Sequence, residues 1–219
     1  MLEQKITELK EKLFTQAGLA EEMVAKSIRA LMEKKESIAK EVIEKDEPKM
    51  NDLEIEIEEE AMNFLALYQP EASNLRTIVM IIKINNDLER IGDHAVNIAE
   101  SAIRLIPKAQ IKPLIDIPRM TEITCGMLRE SLNAFAKNDD ELAIKVCKDD
   151  SEVDALLEQI TRDLLTYVMS DSSIMDRALS IVLISRNLER IADLATNIAE
   201  DTIFAAKGNV IKHHKQDRQ

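Results

Sequence analysis

The sequence predicts an all-α protein: two pseudo-symmetric antiparallel three-helix bundles lying side by side. Three observations predict it. Among 219 residues there are only 4 Gly and 5 Pro, and aromatics make up 3%, so little in the chain would punctuate strands and turns. The phrase NNDLERIGDHAVNIAE at 85–100 returns as SRNLERIADLATNIAE at 185–200, the mark of an internal duplication. Apolar residues in both copies recur at alternating steps of three and four. They are Ile81, Ile84, Leu88, Ile91, Ala95, Ile98, Ala102 and Leu105 in one, and Ile181, Ile184, Leu188, Ile191, Ala195 and Ile198 in the other, where Thr202 holds the next step. That is the heptad seam of near-parallel packed helices, and Ala95 and Ala195 let a neighbour approach closely.

Six helices are expected. The first runs from about Leu2 to Lys34, and its stripe of Leu9, Leu13, Met23 and Leu31 reads as core. The second runs from about Ser37 to Tyr68, with Pro48 marking a break point. QPEAS at 69–73 is a turn, because Pro70 forbids continuing the helix before it. The third helix begins near Asn74 and stops before Pro107. Residues 108–118 form the connection or the start of the fourth helix, which then runs to about Lys137. NDD at 138–140 caps the fifth, SDSS at 170–173 separates it from the sixth, and Gly208 ends the sixth. Three helices followed by three give two repeats, residues 1–107 and 108–219. The match reaches beyond the repeated phrase, since RTIVMIIKI (76–84) aligns with DRALSIVLI (176–184). LEIEIEEEAMNFLALY (53–68) aligns with VDALLEQITRDLLTYV (153–168) after a small register shift.

Charge narrows the function. The formal net charge is −12 and the pI is about 4.9. Such a surface repels phosphate backbones and suits cations or basic protein surfaces, so no nucleic-acid partner is expected. Cys125 and Cys147 lack a CxxC spacing and read as small buried residues of a reducing compartment. The charged start MLEQKITELKEK is not a signal peptide, and the longest apolar run, IVMII at 78–82, is too short to span a bilayer. A cytoplasmic protein is expected, reaching the membrane only through partners and not by direct insertion.

The repeated phrase also carries a polar pattern. With Leu88 and Ile91 inward, Glu89 and Asp93 share an outward face one turn apart, Asn97 and Glu100 extend it, and Asn86 precedes it. The second copy repeats this with Glu189, Asp193, Asn197 and Glu200, and Arg186 stands for Asn86. Between copies Gly92 becomes Ala192, His94 becomes Leu194 and Val96 becomes Thr196, while the carboxylates and the Asn stay. A solvated face explains any single Glu-x-x-x-Asp, with Arg90 and Arg190 as neutralising neighbours or surface ion pairs. The duplication favours a metal site, because two carboxylates one turn apart repel unless a cation joins them. Oxygen donors select a hard cation: magnesium, manganese, calcium or iron. Further ligands must come from other helices. Asp150 and Asp154 are four apart on the fifth helix, and Glu47, Asn51 and Asp52 hold the comparable place on the second. Glu8 and Glu122 have uninformative spacing. The ladder Glu54, Glu56, Glu58, Glu59 and Glu60 reads as a solvated face.

QPEASNLRTIVMIIKINNDLERIGDHAVNIAE, its echo ISRNLERIADLATNIAED and the opening ITELKEKLFTQAGLAEEMVAKSIRAL together resemble PhoU, the phosphate transport system regulator family. The resemblance covers nearly the whole chain. It implies two three-helix bundles, and E(D)xxxD motifs holding a multinuclear metal cluster, iron first, with manganese, magnesium or zinc as alternatives. The motif falls on Glu89 and Asp93 and on Glu189 and Asp193, extended by Asn97, Glu100, Asn197 and Glu200. Asp150 and Asp154 match on the fifth helix. Glu47 with Asn51 is one carboxylate short, so the first cluster is expected to be smaller or weaker. The resemblance also implies a homodimer that partners the ATPase subunit of the Pst phosphate transporter and a PhoR-type sensor histidine kinase. It would repress the phosphate-starvation response when phosphate is plentiful.

Two other readings compete with this non-enzymatic adaptor. A carboxylate-bridged metalloenzyme would use Glu-x-x-His pairs, which are missing. Of three histidines, His94 has no counterpart in the second copy, and His213 and His214 read as solvated. No phosphate-cradling Gly-rich loop or nucleophile triad is present. A metal-free helical scaffold is the remaining alternative.

Overall fold

The computed structural model describes residues Leu2–Lys207, with side chains as far as Phe204. Gly208, His213 and His214, singled out from the sequence, lie outside them. Seven α-helices follow one another: α1 (Leu2–Glu33), α2 (Glu36–Glu41), α3 (Glu47–Tyr68), α4 (Ala72–Leu105), α5 (Asp116–Lys137), α6 (Asp140–Ser170) and α7 (Met175–Lys207). No strand occurs among the described residues. No helix of the described residues is long and apolar enough to cross a membrane.

The expected second helix is a single rod with an insert. A π turn over Val42–Asp46 joins α2 to α3, and Pro48 lies in the first turn of α3. The proline therefore does not break the rod. Its missing N–H falls where helical amides lack partners, and the wider π turn precedes it, where an α-helix would press the ring on the carbonyl four residues back. Elsewhere the local chemistry acts as expected. Asp139 Oδ1 accepts from the Leu142 amide at 3.0 Å and starts α6. Asp171 Oδ1 accepts from Ser173 N at 2.9 Å in the SDSS turn. Asn138 takes a left-handed φ of 52°, a conformation Asn tolerates, to close α5.

The predicted seam is the core. Ile81, Ile84, Leu88, Ile91, Ala95, Ile98 and Ala102 are buried on α4, as are Ile181, Ile184, Leu188, Ile191, Ala195, Ile198 and Thr202 on α7. Leu105 is partly buried against the same core. The α1 stripe of Leu9, Leu13, Met23 and Leu31 is buried too. In the first half α1 and α3 pack on α4, and in the second α5 and α6 pack on α7. The halves meet where α4 lies against α7 and α1 touches α5. Helices α4 and α7 run antiparallel, since Lys83 Nζ donates to both Asp201 oxygens at 3.1 Å and His94 reaches Asn187 at 2.9 Å. The two copies of the repeated phrase thus lie next to each other in opposite directions at the middle of the molecule.

Candidate functional site

Burial of the seam turns the polar members of the phrase outward. On α4, Glu89 is half-buried while Asp93, Asn97 and Glu100 are exposed. On α7, Glu189 and Glu200 are half-buried while Asp193 and Asn197 are exposed. The expected outward face is therefore present in both halves.

In the second half α6 brings a third carboxylate. Asp154 is exposed and Asp150 half-buried. Burial, then the charge on Asp193, then that on Asp154 push the Glu189 carboxyl above its usual range. Burial and Asp154 do the same to Asp193. Glu189, Asp193 and Asp154 thus form one repelling cluster. Asp150 and Glu200 lie further along the same α6–α7 seam, both beside Cys147, whose thiol is pushed up to about 11 by burial and then by these two charges. Cys125 is likewise raised to about 11, chiefly by burial, and both cysteines are free. Neither thiol is a nucleophile at neutral pH.

The first half assembles its cluster from a residue the sequence reading set aside. Burial, Asp93 and then Glu54 raise the Glu89 carboxyl. Glu54 was read as one rung of a solvated ladder, but it is half-buried and is itself raised by burial and by Glu58. The ladder divides: Glu56 and Glu60 turn to Lys12 Nζ on α1, at 2.6 and 2.5 Å, and Glu54 turns to α4. The signal was available, because Glu47, Asn51 and Glu54 are spaced four and three apart and share one helical face. Glu47 is half-buried and Asn51 exposed on that face. The α3 carboxylate that acts on Glu89 is Glu54. The core confirms the register of α3 against α6. Met50, Ile57 and Ala61 are buried, as are Val153, Ile160 and Leu164, each 103 positions later. Asn51 therefore stands where Asp154 stands, and Glu54 where the second half has Leu157.

Arg90 makes a surface ion pair, its guanidinium 3.5 Å from Asp87. His94 is a link between halves. Asn187 Nδ2 donates to the Leu183 carbonyl at 2.7 Å. Its Oδ1 is therefore the acceptor, and His94 Nδ1–H donates to it at 2.9 Å. Burial holds the imidazole pKa below its ordinary value, with Arg190 and Arg90 adding to the effect.

Among the described residues no three His, Cys, Asp or Glu side chains already converge as metal ligands. The donor set nevertheless fits a hard cation in kind: each half presents three carboxylates, with amide oxygens beside them, and partial burial followed by mutual repulsion has lifted the proton affinity of several. A divalent ion placed there would relieve that repulsion.

The chain matches the PhoU domain family model over residues 15–102 and again over 117–202. It is 41% identical over 209 residues to the phosphate-specific transport system accessory protein PhoU homolog of Aquifex aeolicus, covering 95% of this chain and 94% of that one. The phosphate-specific transport system accessory protein PhoU of Escherichia coli K12 is 32% identical over 209 residues, covering 95% and 86%. The crystal structure of PhoU from Pseudomonas aeruginosa superposes with a TM-score of 0.91 at 35% identity, covering 95% of this chain and 100% of that one. That of the phosphate transport system regulatory protein PhoU from Streptococcus pneumoniae gives 0.89 at 26%, covering 96% and 99%. With two copies of the family's domain, relatives this similar over nearly its whole length and the same two helical bundles, the chain belongs to the PhoU family.

Proposed function

We propose that this protein is a metal-binding, non-enzymatic regulator of phosphate uptake and phosphate-starvation signalling. It acts at the inner face of the membrane as a homodimeric adaptor between the ATPase subunit of a Pst-type phosphate transporter and a PhoR-type sensor histidine kinase. The names of its relatives as transport-system accessory proteins support the regulatory role. One observation supports the metal: each half holds an outward cluster of carboxylates whose proton affinity is raised by partial burial and then by the charges of its own members. Glu89, Asp93 and Glu54 would hold the first cluster, with Asn97, Glu100, Glu47 and Asn51 at its margin. Glu189, Asp193 and Asp154 would hold the second, with Asn197, Glu200 and Asp150 beside it. Bound iron, or manganese, magnesium or zinc, would turn a self-repelling acidic face into a fixed docking surface. The role needs no catalytic group, and His94 is already committed to joining the halves.

Metal analysis of the purified protein tests this. The expected result is stoichiometric, chelator-removable metal that is lost when Glu89, Asp93, Glu189 and Asp193 are replaced together by Gln and Asn, and with it transporter ATPase binding. Protein that ignores added iron, manganese, magnesium and zinc would leave a metal-free helical scaffold as the reading.

A further inference from the structure

A groove of about 430 Å³ opens where α3, α4 and α7 meet. Its walls include Glu54 and Glu58 from α3, Asp87 from α4, and Glu200 and Asp201 from α7, with Lys83 as the cation among its lining residues. Lys83 is already joined to Asp201. The groove is therefore an acidic trough with an excess of negative charge, which fits a basic segment. The antiparallel pairing of α4 and α7 sets what lies beside it. Asp201 is level with Lys83, so the end of α7 at Lys207 is level with the first turns of α4, where Leu75 and Val79 are each 41% exposed. The chain leaves α7 beside this apolar step, within two turns of Asp201.

The residues that follow are GNVIKHHKQDRQ, at 208–219: a glycine, an apolar pair, then Lys212, Lys215 and Arg218 against the single carboxylate of Asp217. The order matches the surface, with apolar residues first and cations after. We propose that this segment docks on its own chain, with Val210 and Ile211 against Leu75 and Val79, and Lys212, Lys215 and Arg218 over the carboxylates of the groove. Reach is sufficient: an extended chain gains about 3.3 Å per residue, against about 1.5 Å per residue back along α4 from Leu75 to Asp87. Docked there, the segment covers Glu54 and Glu200 and competes with any basic partner for the first-half face.

The test uses the full chain, dilute, stripped of metal with EDTA and then moved into a buffer free of carboxylates and amines, so it does not depend on the metal reading. A zero-length carbodiimide joins contacting amines and carboxylates, and an equal mixture of isotopically light and heavy protein separates links within a chain from links between chains. Lys12 with Glu56 at 2.6 Å and Lys26 with Glu41 at 3.0 Å are built-in controls. Docking predicts links from Lys212 or Lys215 to Glu54, Glu58 or Glu200 within single chains. It also predicts a severalfold lower yield of these links in Arg218→Glu, with the controls unchanged. Controls that form without any such link overturn the proposal. So do mixed-isotope links, which would make a second copy the occupant, and a yield that Arg218→Glu leaves untouched.

Discussion

Asp46 and Asp149 occupy the same place in the two halves, by the 103-residue spacing that relates Met50, Ile57 and Ala61 to Val153, Ile160 and Leu164. Their surroundings differ. The Asp46 side chain is 4% exposed and held by Lys26 Nζ at 2.9 Å, and the same ammonium donates to Glu22 at 2.9 Å and Glu41 at 3.0 Å. Asp149 lies at the surface, 3.8 Å from the exposed Lys145. The first half also buries amides. Gln16 Nε2 donates to the Asn85 carbonyl at 3.3 Å, and Asn85 Nδ2 to the Glu54 carbonyl at 2.9 Å. In the second half Ser185 stands for Asn85 and folds its hydroxyl back on the Ile181 carbonyl at 3.1 Å. Both halves keep the outward acidic phrase, but they differ in what holds α3 or α6 behind it. The first half buries a carboxylate and two amides around a π turn, whereas the second leaves Asp149 at the surface and ties α6 instead by Lys112, which precedes α5 and donates to Asp163 at 2.6 Å.

The largest expected effect follows from the Lys26 network. Burial alone would lower the ammonium's pKa, but the hydrogen bonds it donates to Glu22, Asp46 and Glu41 more than offset this and leave it raised. Its contribution is thus present across the neutral range and lost only as pH climbs far into the alkaline region. Lys26→Met leaves the buried Asp46 carboxylate without its partner and should cost about 3–5 kcal/mol in urea unfolding. Lys145→Met, its counterpart at the surface, should stay within about 0.5 kcal/mol. Near-equal losses would show that the π turn does not depend on its buried ions.

Cation affinity sharpens the same contrast. Asp154→Asn should weaken only the second-half site, and Glu54→Gln only the first. Each loss should be about tenfold or more, the scale found even for groups one shell removed from a metal. Asn51→Asp restores to the first half the carboxylate that Asp154 gives the second, and should tighten its site. Calorimetric titration with manganese reads all three. A loss spread evenly over both sites in either single variant would argue for one shared centre.

The fold was legible because the seam is a repeated pattern: positions from Ile81 to Ala102 and from Ile181 to Thr202 are all inside. The acidic phrase was legible as an outward face for the same reason, since burial of Leu88 and Ile91 leaves Glu89 and Asp93 no other side. What escaped depends on contacts between distant segments. Glu54 was lost in a ladder of five acidic residues, and only the position of Lys12 on α1 divides them. The π turn has no side-chain signature, because it changes the backbone hydrogen-bond step and leaves the composition unaltered. The Lys26 network joins residues from 22 to 46, and nothing in their spacing marks it.

Gly92 and Ala192 give a smaller difference. A Cβ on Gly92 would stand 3.0 Å from Met50 Cγ and 3.6 Å from Met23 Cε, so α3 is seated where a methyl would press. Gly92→Ala gains about 1 kcal/mol of helix propensity and gives much of it back by displacing the flexible Met50 side chain. Ala192→Gly loses about 1 kcal/mol with nothing to offset it. Thermal unfolding should therefore move less in the first variant than in the second. A large drop on Gly92→Ala would mean that Met50 cannot yield.

The smallest effect is electrostatic, and its sign is fixed by the raised carboxyls. A carboxylate whose folded pKa lies above its unfolded one favours the fold while protonated. Its contribution is complete below the unfolded value, near pH 4, and is lost as pH rises through the folded value. In the second half both Glu189 and Asp193 are raised, and in the first Glu89 and Glu54 are raised. In EDTA, Glu189→Gln with Asp193→Asn should therefore stabilise the protein more at pH 7 than at pH 4, as should Glu89→Gln with Glu54→Gln. Partial exposure keeps both gains small. Adding manganese at pH 7 reverses the sign, because the wild-type carboxylates then bind an ion that the amides bind poorly, and binding to the folded state alone stabilises it. Paired unfolding curves at the two pH values, with and without metal, measure this. If the amide variants were less stable than wild type at pH 7 in EDTA, the carboxylates would be mutually supported by something other than a cation, and the repulsion on which the metal reading rests would not exist.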